Sequence, residues 1–277
     1  MVESYLFRKT AYRPPQADGG GSAGKSARRM LEILEFFGAQ RRPLSVREIA
    51  AHFGYPHSST SVLVNTAATL GYLGYDLTTR TYSATLRLAV LGAWVYETTA
   101  VAGDVLNVAR ELAARTNETV VIAAENDIYS QYIHVVPSTQ SIQYYIPTGN
   151  RLLLCHSGTG WALLSTHSED SIERLVDRTR VRLGKAVAAI TFPEVLARVN
   201  EVRRRGYAFS RGAVVPGGGI IAVSLPSDQS GVRLALGVAS TLQRLDTQAE
   251  QVIKWMRAGV RKLAPRAAKQ PLSRPRA

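Results

Sequence analysis

Residues 44–75, LSVREIAAHFGYPHSSTSVLVNTAATLGYLGY, constrain the fold more tightly than any other stretch. Ser45-Val46-Arg47-Glu48 has the form of a capping box. In such a box the Ser hydroxyl accepts from the backbone N–H three residues on, and the carboxylate reaches back to the Ser N–H. Val46, Ile49, Ala50 and Phe53 then supply one apolar helix face, and Gly54 ends the helix, because the residue after a helix often needs a positive φ. Pro56 opens the next helix, where its missing N–H costs nothing. In that helix Thr60, Leu63, Ala67 and Leu70 fall at helical spacing and are expected to point inward, leaving Ser58, Ser59, Ser61, Val62, Asn65 and Thr69 on the opposite face. Upstream, SARRMLEILEFFG puts Met30, Leu31, Leu34 and Phe37 on one face, with Gly38 as a stop. Downstream, GYLGYDLTTRTYSAT reads as two short strands around a polar turn from Asp76 to Arg80. Three helices followed by a hairpin define a winged helix-turn-helix.

One property of this stretch runs against expectation. The chain carries a net charge of +13, yet residues 58–70 contain no Lys or Arg. The excess sits elsewhere: residues 261–277, RKLAPRAAKQPLSRPRA, hold six basic groups and no acidic one. Pro and charge disfavour packing, so a solvated disordered tail is expected over residues 264–277, able to make a weak, salt-sensitive contact with phosphates. Charge therefore permits a nucleic acid partner without establishing one.

The rest of the chain divides by composition. Residues 1–25 include RPPQADGGGSAG and read as a flexible leader, with order expected to begin near Ser26. The winged helix occupies 26–84. A linker helix follows over 85–103, within an apolar-periodic stretch broken near Ala102-Gly103; burial against a partner chain or against its own domain would each explain its apolar character. From Glu118 the pattern alternates: ETVVIAAEN, SQYIHVVP, IQYYIP, YAFSR, GGIIAVSLP and VRLALGVAS read as strands. GNRLLLCHSGTGWALLS reads as a loop feeding a helix, SEDSIERLVDRT and FPEVLARVNEVRRRG as helices, and TQAEQVIKWMRAGVRKL as a closing amphipathic helix. The fold class is α+β, with an antiparallel sheet flanked by helices over residues 104–263.

Several chemistries are disfavoured. The one cysteine, Cys155, cannot form an internal disulfide, which fits a reducing cytoplasm. Cys155 and His156 are adjacent, and neighbours on a strand point to opposite faces, so they make a poor nucleophile pair. The histidines at 52, 57, 134, 156 and 167 include no i, i+4 pair of the kind that binds zinc, so no metal is expected. SGTG at 157–160 and PGGG at 216–219 match no nucleotide-binding fingerprint. No cofactor, enzyme activity or membrane span is expected.

The chain resembles the IclR family of bacterial transcriptional regulators over about residues 26–263. Three collinear segments carry the likeness: PLSVREIAAHFGYPHSSTSVLVNTAATLGYL, TGNRLLLCHSGTGWALLS, and VRRRGYA followed by VPGGGIIAVSLP. The resemblance implies a winged-helix DNA-binding domain, a linker helix, a GAF-like effector domain, and dimers or tetramers on palindromic double-stranded operators. In the recognition helix the family commonly shows Lys, His and Arg where this chain has His57, Ser61 and Val62. The expected DNA-facing set is thus Arg28, Arg29, Ser45, Arg47, His57, Ser58, Ser59, Ser61, Asn65 and Arg80, with cations drawn from outside the helix. The effector subsite also departs. Gly237 and Ala239 stand where family hydroxyls often do, Ile220 takes a Cys position, and Trp161 replaces a common Lys. Gly158 and Thr159 begin the helix whose N–H groups favour an anion. With Tyr144 or Arg151 nearby, these residues are expected to hold a small organic acid, an aromatic acid among the candidates. The alternative is a small-molecule sensor or enzyme whose winged helix serves only protein contacts.

Overall fold

The computed structural model describes residues 22–98, 102–187, 189–227 and 231–267, with side chains from residue 24 and excluding 93–103, 185, 186 and those after 263. These residues form two compact units that divide after Thr98. Most of the expected leader and tail therefore lies outside the described residues.

In the first unit α1 (Ser22–Gln40), α2 (Val46–Phe53) and α3 (His57–Thr69) precede the antiparallel hairpin β1 (Leu73–Asp76) and β2 (Thr81–Ala84), and α4 (Leu86–Thr98) follows. The α2 capping box is present in both directions: Ser45 Oγ accepts from the Glu48 N–H at 3.3 Å and the Ser45 N–H donates to Glu48 Oε2 at 2.8 Å. Gly54 takes the left-handed conformation at φ 65°. In the wing turn, Asp76 Oδ1 accepts from the N–H groups of Thr78 and Thr79, and Arg80 has φ 54°.

Three expectations need correction here. The first helix starts at Ser22, before Ser26, and continues through Gly38 until Arg41 turns left-handed at φ 50°. Its buried stripe centres on Ile33 and Phe37, while Leu31 is 62% exposed. In α3 the buried stripe is Thr60, Val64 and Ala67, and Leu70 is 53% exposed. Both errors have one cause. Apolar residues occur on more than one face of each helix, and periodicity alone cannot choose between those faces; packing against Leu44, Ile49, Leu73 and Tyr82 makes that choice.

The second unit opens with α5 (Ala102–Thr116), which includes Ala102 and Gly103; residues 99–101, beside the break expected there, are not among the described residues. Its sheet has the order β5 (Arg151–Leu153), β4 (Tyr129–Val136), β3 (Thr119–Asn126), β8 (Leu234–Thr241), β7 (Gly218–Ser224), β6 (Ala208–Arg211). Every pairing is antiparallel. Alternation then gives each face its own core. Val120, Ile122, Ile221, Val223, Leu236 and Val238 meet α5 and the closing helix α9 (Leu242–Ala267). Val121, Ala123, Ile220, Ala222, Ala235 and Ala239 face α6 (Gly158–Leu164), α7 (Glu169–Leu183) and α8 (Phe192–Arg205). The second face carries mostly small residues because α6 lies very close: a Cβ on Gly158 would sit 2.6 Å from Ile220 Cγ2, and one on Gly160 only 2.2 Å from the Leu154 carbonyl oxygen.

The segment IQYYIP is not a strand. The edge of β4 that it would need is taken by β5, formed by Arg151–Leu153 within the stretch expected to be a loop. Ile142 and Tyr145 are accordingly exposed. The closing helix runs to Ala267, past the residue 264 expected to begin the disordered tail.

Candidate DNA-binding face and effector cavity

On α3 the side chains are bonded largely to their own unit. Ser59 Oγ donates to the Pro56 carbonyl at 3.0 Å, and Thr66 Oγ1 donates to that of Val62 at 2.8 Å. Asn65 is engaged at both ends: its Nδ2 donates to Ser61 Oγ at 3.3 Å, and its Oδ1 accepts from the Tyr82 hydroxyl at 2.5 Å. The second bond ties the helix to strand β2 of the wing. His57, Ser58 and Val62 are exposed, Val62 by 65%. Of the arginines expected nearby, Arg47 and Arg80 are exposed, and Arg28 lies 3.9 Å from Glu32. Arg29 stacks at 4.5 Å over the Tyr55 ring, whose hydroxyl donates to Glu32. Arg29 and Arg28 thus sit with Tyr55 and Glu32 at the α1–α2 corner. Ser45 is committed to its capping box, with Glu48 also bound by Arg42 at 2.8 Å.

Most of the effector residues inferred from the sequence come together, but as a packed layer rather than around an opening. Thr159 is fully buried and accepts from Ser130 Oγ at 2.8 Å. Ile220 fills the space above Gly237: a Cβ there would meet Ile220 Cδ1 at 2.7 Å. Ala239 and Gly158 belong to the same packed layer. Tyr144 covers the turn at Gly217-Gly218, where a Cβ on Gly218 would sit 3.1 Å from its Cε2. The expected subsite is closed by apolar packing.

Of that set Arg151 lines an open cavity of about 740 Å³, in the layer between the sheet edge and α6–α8, and the others are not in its lining. Tyr129, Trp161, Arg198, His156 and Arg211 also line it, with Leu183, Val187 and Ile190 as apolar wall. Trp161 is 8% exposed and its indole N–H donates to the Cys155 carbonyl at 3.1 Å, which fixes the ring as part of the wall. That gives this Trp a role the sequence did not supply. His156 Nε2 lies 2.9 Å from the Ala213 carbonyl oxygen. Burial pushes the Cys155 thiol up to about 11, against a weak opposing contact with Thr179, so it stays protonated at neutral pH. Burial likewise holds the Tyr132 phenol at about 12. No group of side chains among the described residues could hold a metal ion, and none of the helices searched there is long and apolar enough to cross a membrane.

A helix-turn-helix with a wing, joined in one chain to an α+β unit with a cavity, defines the class of ligand-linked transcriptional regulators. The comparisons make the assignment particular. The IclR helix-turn-helix domain profile matches residues 26–77, and that of the bacterial transcriptional regulator IclR C-terminal domain matches residues 96–266. The chain belongs to the IclR family of bacterial transcriptional regulators. It is 24% identical over 241 residues to the HTH-type transcriptional regulator KdgR of Escherichia coli strain K12, covering 86% of this chain and 91% of that one. It is 25% identical over 238 residues to the HTH-type transcriptional repressor AllR of the same strain, covering 84% and 86%. Among solved structures, the effector domain of the putative transcriptional regulator IclR from Acinetobacter sp. ADP1 is similar at 29% identity and TM-score 0.55, over 62% of this chain and 97% of that one. A regulator from Alicyclobacillus acidocaldarius shares the fold at TM-score 0.61 and 22% identity, over 88% and 99%. These relatives are transcriptional regulators, not enzymes.

Proposed function

We propose that this chain binds a palindromic double-stranded operator as a cytoplasmic homodimer or tetramer and responds to a small organic acid, in control of a catabolic operon. In this reading residues 26–84 bind DNA, 85–103 connect, and 104–263 bind effector and partner copies. The observation that carries it is the exposed, uncharged α3 face set on a capped α2 and a left-handed Gly54. That geometry suits entry of a helix into a major groove. Ser58, Ser61 and the Nδ2 of Asn65 then supply donors and acceptors, and Val62 an apolar contact. Arg47 and Arg80 provide phosphate contacts. The cavity, with Arg151 in its wall and a mostly apolar lining, suits an acid with an apolar or aromatic body. The effector acts only through unequal affinity for two arrangements of the DNA-binding units.

The test is a footprint of the full chain on DNA upstream of its own gene at two salt concentrations. Protection of two half-sites one or two helical turns apart is expected. Sequence-independent protection that vanishes with salt would overturn the reading and favour a winged helix used for protein contacts.

A further inference from the structure

Two arginines in the cavity wall are only incompletely paired within the protein itself. Arg151, on β5, stacks at 4.0 Å over the Tyr129 ring, and its Nε is buried without a hydrogen-bond partner. Arg198, on α8, lies at 5.6 Å over the Trp161 ring; its ion pair with Glu201 is long, at 4.0 Å. The other charged groups of the wall are already committed. Arg211 donates to Asp246 Oδ1 through Nε at 3.2 Å and Nη2 at 2.8 Å. Glu194 caps α8, accepting from the Thr191 N–H at 3.3 Å and its hydroxyl at 2.8 Å.

A buried N–H without a partner is costly, and a carboxylate satisfies a guanidinium through two parallel charge-assisted bonds. Arg151 is half-buried and held against the Tyr129 ring, so its charge is the less screened of the two and serves as the anion anchor. Arg198 is more exposed, so its attraction is screened and weaker, and it suits a group at the mouth. The wall between them is apolar and aromatic. The volume also decides between ligand sizes. A cavity of about 740 Å³ falls in the ~300–1,000 Å³ range of small-molecule sites, whereas a two-carbon acid displaces only a few waters of ~30 Å³ each.

We infer that the cavity takes an organic dicarboxylate with an apolar or aromatic body, one carboxylate held on Arg151 and the other on Arg198, the body lying against Trp161. This rests on the effector reading above and specifies its ligand class.

Calorimetry on the full chain with matched probes tests it: terephthalate against 4-ethylbenzoate, and adipate against hexanoate. Each dicarboxylate is expected to bind on the order of 10-fold more tightly than its monoacid, with the margin shrinking at high salt. Arg198→Gln should bring the dicarboxylate down to the monoacid's affinity and leave the monoacid unchanged. Arg151→Gln should weaken both members of a pair by on the order of 10- to 100-fold. Arg151→Lys, which keeps the charge but loses the fork, should fall between wild type and Arg151→Gln, and it separates recognition from misfolding. Equal affinity within each pair, equal loss of both members in Arg198→Gln, or no binding of any probe at millimolar concentration would overturn the inference. The ligand-free footprint is independent of all three results, so DNA binding can stand while the dicarboxylate fails.

Discussion

The recognition helix and the cavity distribute charge in opposite ways. From His57 to Thr69 there is no Lys, Arg, Asp or Glu, and the hydroxyls of Ser59, Thr60 and Thr66 are folded back onto backbone carbonyls one turn earlier. The cavity gathers Arg151, Arg198 and Arg211 in its lining, all three poised on aromatic rings. Net charge therefore does not locate function in this chain. The site proposed for a polyanion is neutral, while the site proposed for a small acid holds the cations. The difference reflects what each must do. A helix entering a groove can leave phosphate contacts to its neighbours and keep small side chains for fit. A cavity must fix its cations in place, and ring stacking does so without neutralising them.

The strongest way to break the comparison is to destroy one side of it. In Gly160→Ala the new Cβ would overlap the Leu154 backbone, which cannot give as a flexible side chain can. The second unit should lose about 3 kcal/mol or more, with loss of cavity binding, while the winged helix keeps its own melting transition in calorimetry. A single cooperative transition shifted as a whole would show that the units do not fold separately.

Adding a cation to the neutral face sharpens the contrast instead. Ser61→Arg should tighten binding to operator and unrelated DNA alike and steepen the dependence of log K on log salt by about 0.9. An unchanged slope in fluorescence anisotropy would place Ser61 away from the phosphates.

The scaffold that presents the neutral face is open to a smaller test. Ser45→Ala removes the α2 cap and should cost about 1 kcal/mol in denaturant melts. The cap is also acid-sensitive. Hydrogen bonds from the Ser45 N–H, then Arg42 and the Ser45 hydroxyl, hold the Glu48 carboxyl down at about 2, below its ordinary 4.5. Because the folded value is the lower one, this contribution is complete above pH 4.5 and fades as pH falls toward 2. Glu48→Gln should flatten that part of the stability profile; because the carboxylate is exposed, the change is small. The least effect concerns Cys155, buried in the cavity wall with its thiol near 11. Iodoacetamide should label it at pH 8 far more slowly than the unfolded chain.

Much of the first unit was legible because its signals are local. The capping box, the Gly54 stop and the polar wing turn each need only neighbours in sequence. Local signals failed where tertiary packing chose between equals, as with Leu31 against Ile33 and Leu70 against Val64. Of the residues that line the proposed effector cavity, the sequence pointed only to Arg151. Its convergence with Trp161 and Arg198 depends on β5, α6 and α8 meeting, which no short spacing records. Tyr129, His156, Arg198 and Arg211 were missed for that reason. Trp161 standing in place of a common Lys was the one available hint. The closed subsite was hidden in the same way, since Ile220 and Gly237 become neighbours only through the β7–β8 pairing.

The strand order has a consequence for how the chain is made. β3 lies between β4, its neighbour in sequence, and β8, and Thr119 pairs with Ala239. During synthesis the winged helix is complete by Ala84, whereas β3 must wait for nearly the whole remaining chain before its second edge is covered. Until β8 emerges, Val120 to Ala124 present an open strand edge with apolar side chains on both faces. A chain stalled or cleaved ahead of Leu234 would retain a finished winged helix attached to a sticky half-sheet. Such fragments would carry every residue that lines the cavity, all of them ahead of Leu234, yet lack the strand that completes the sheet behind it.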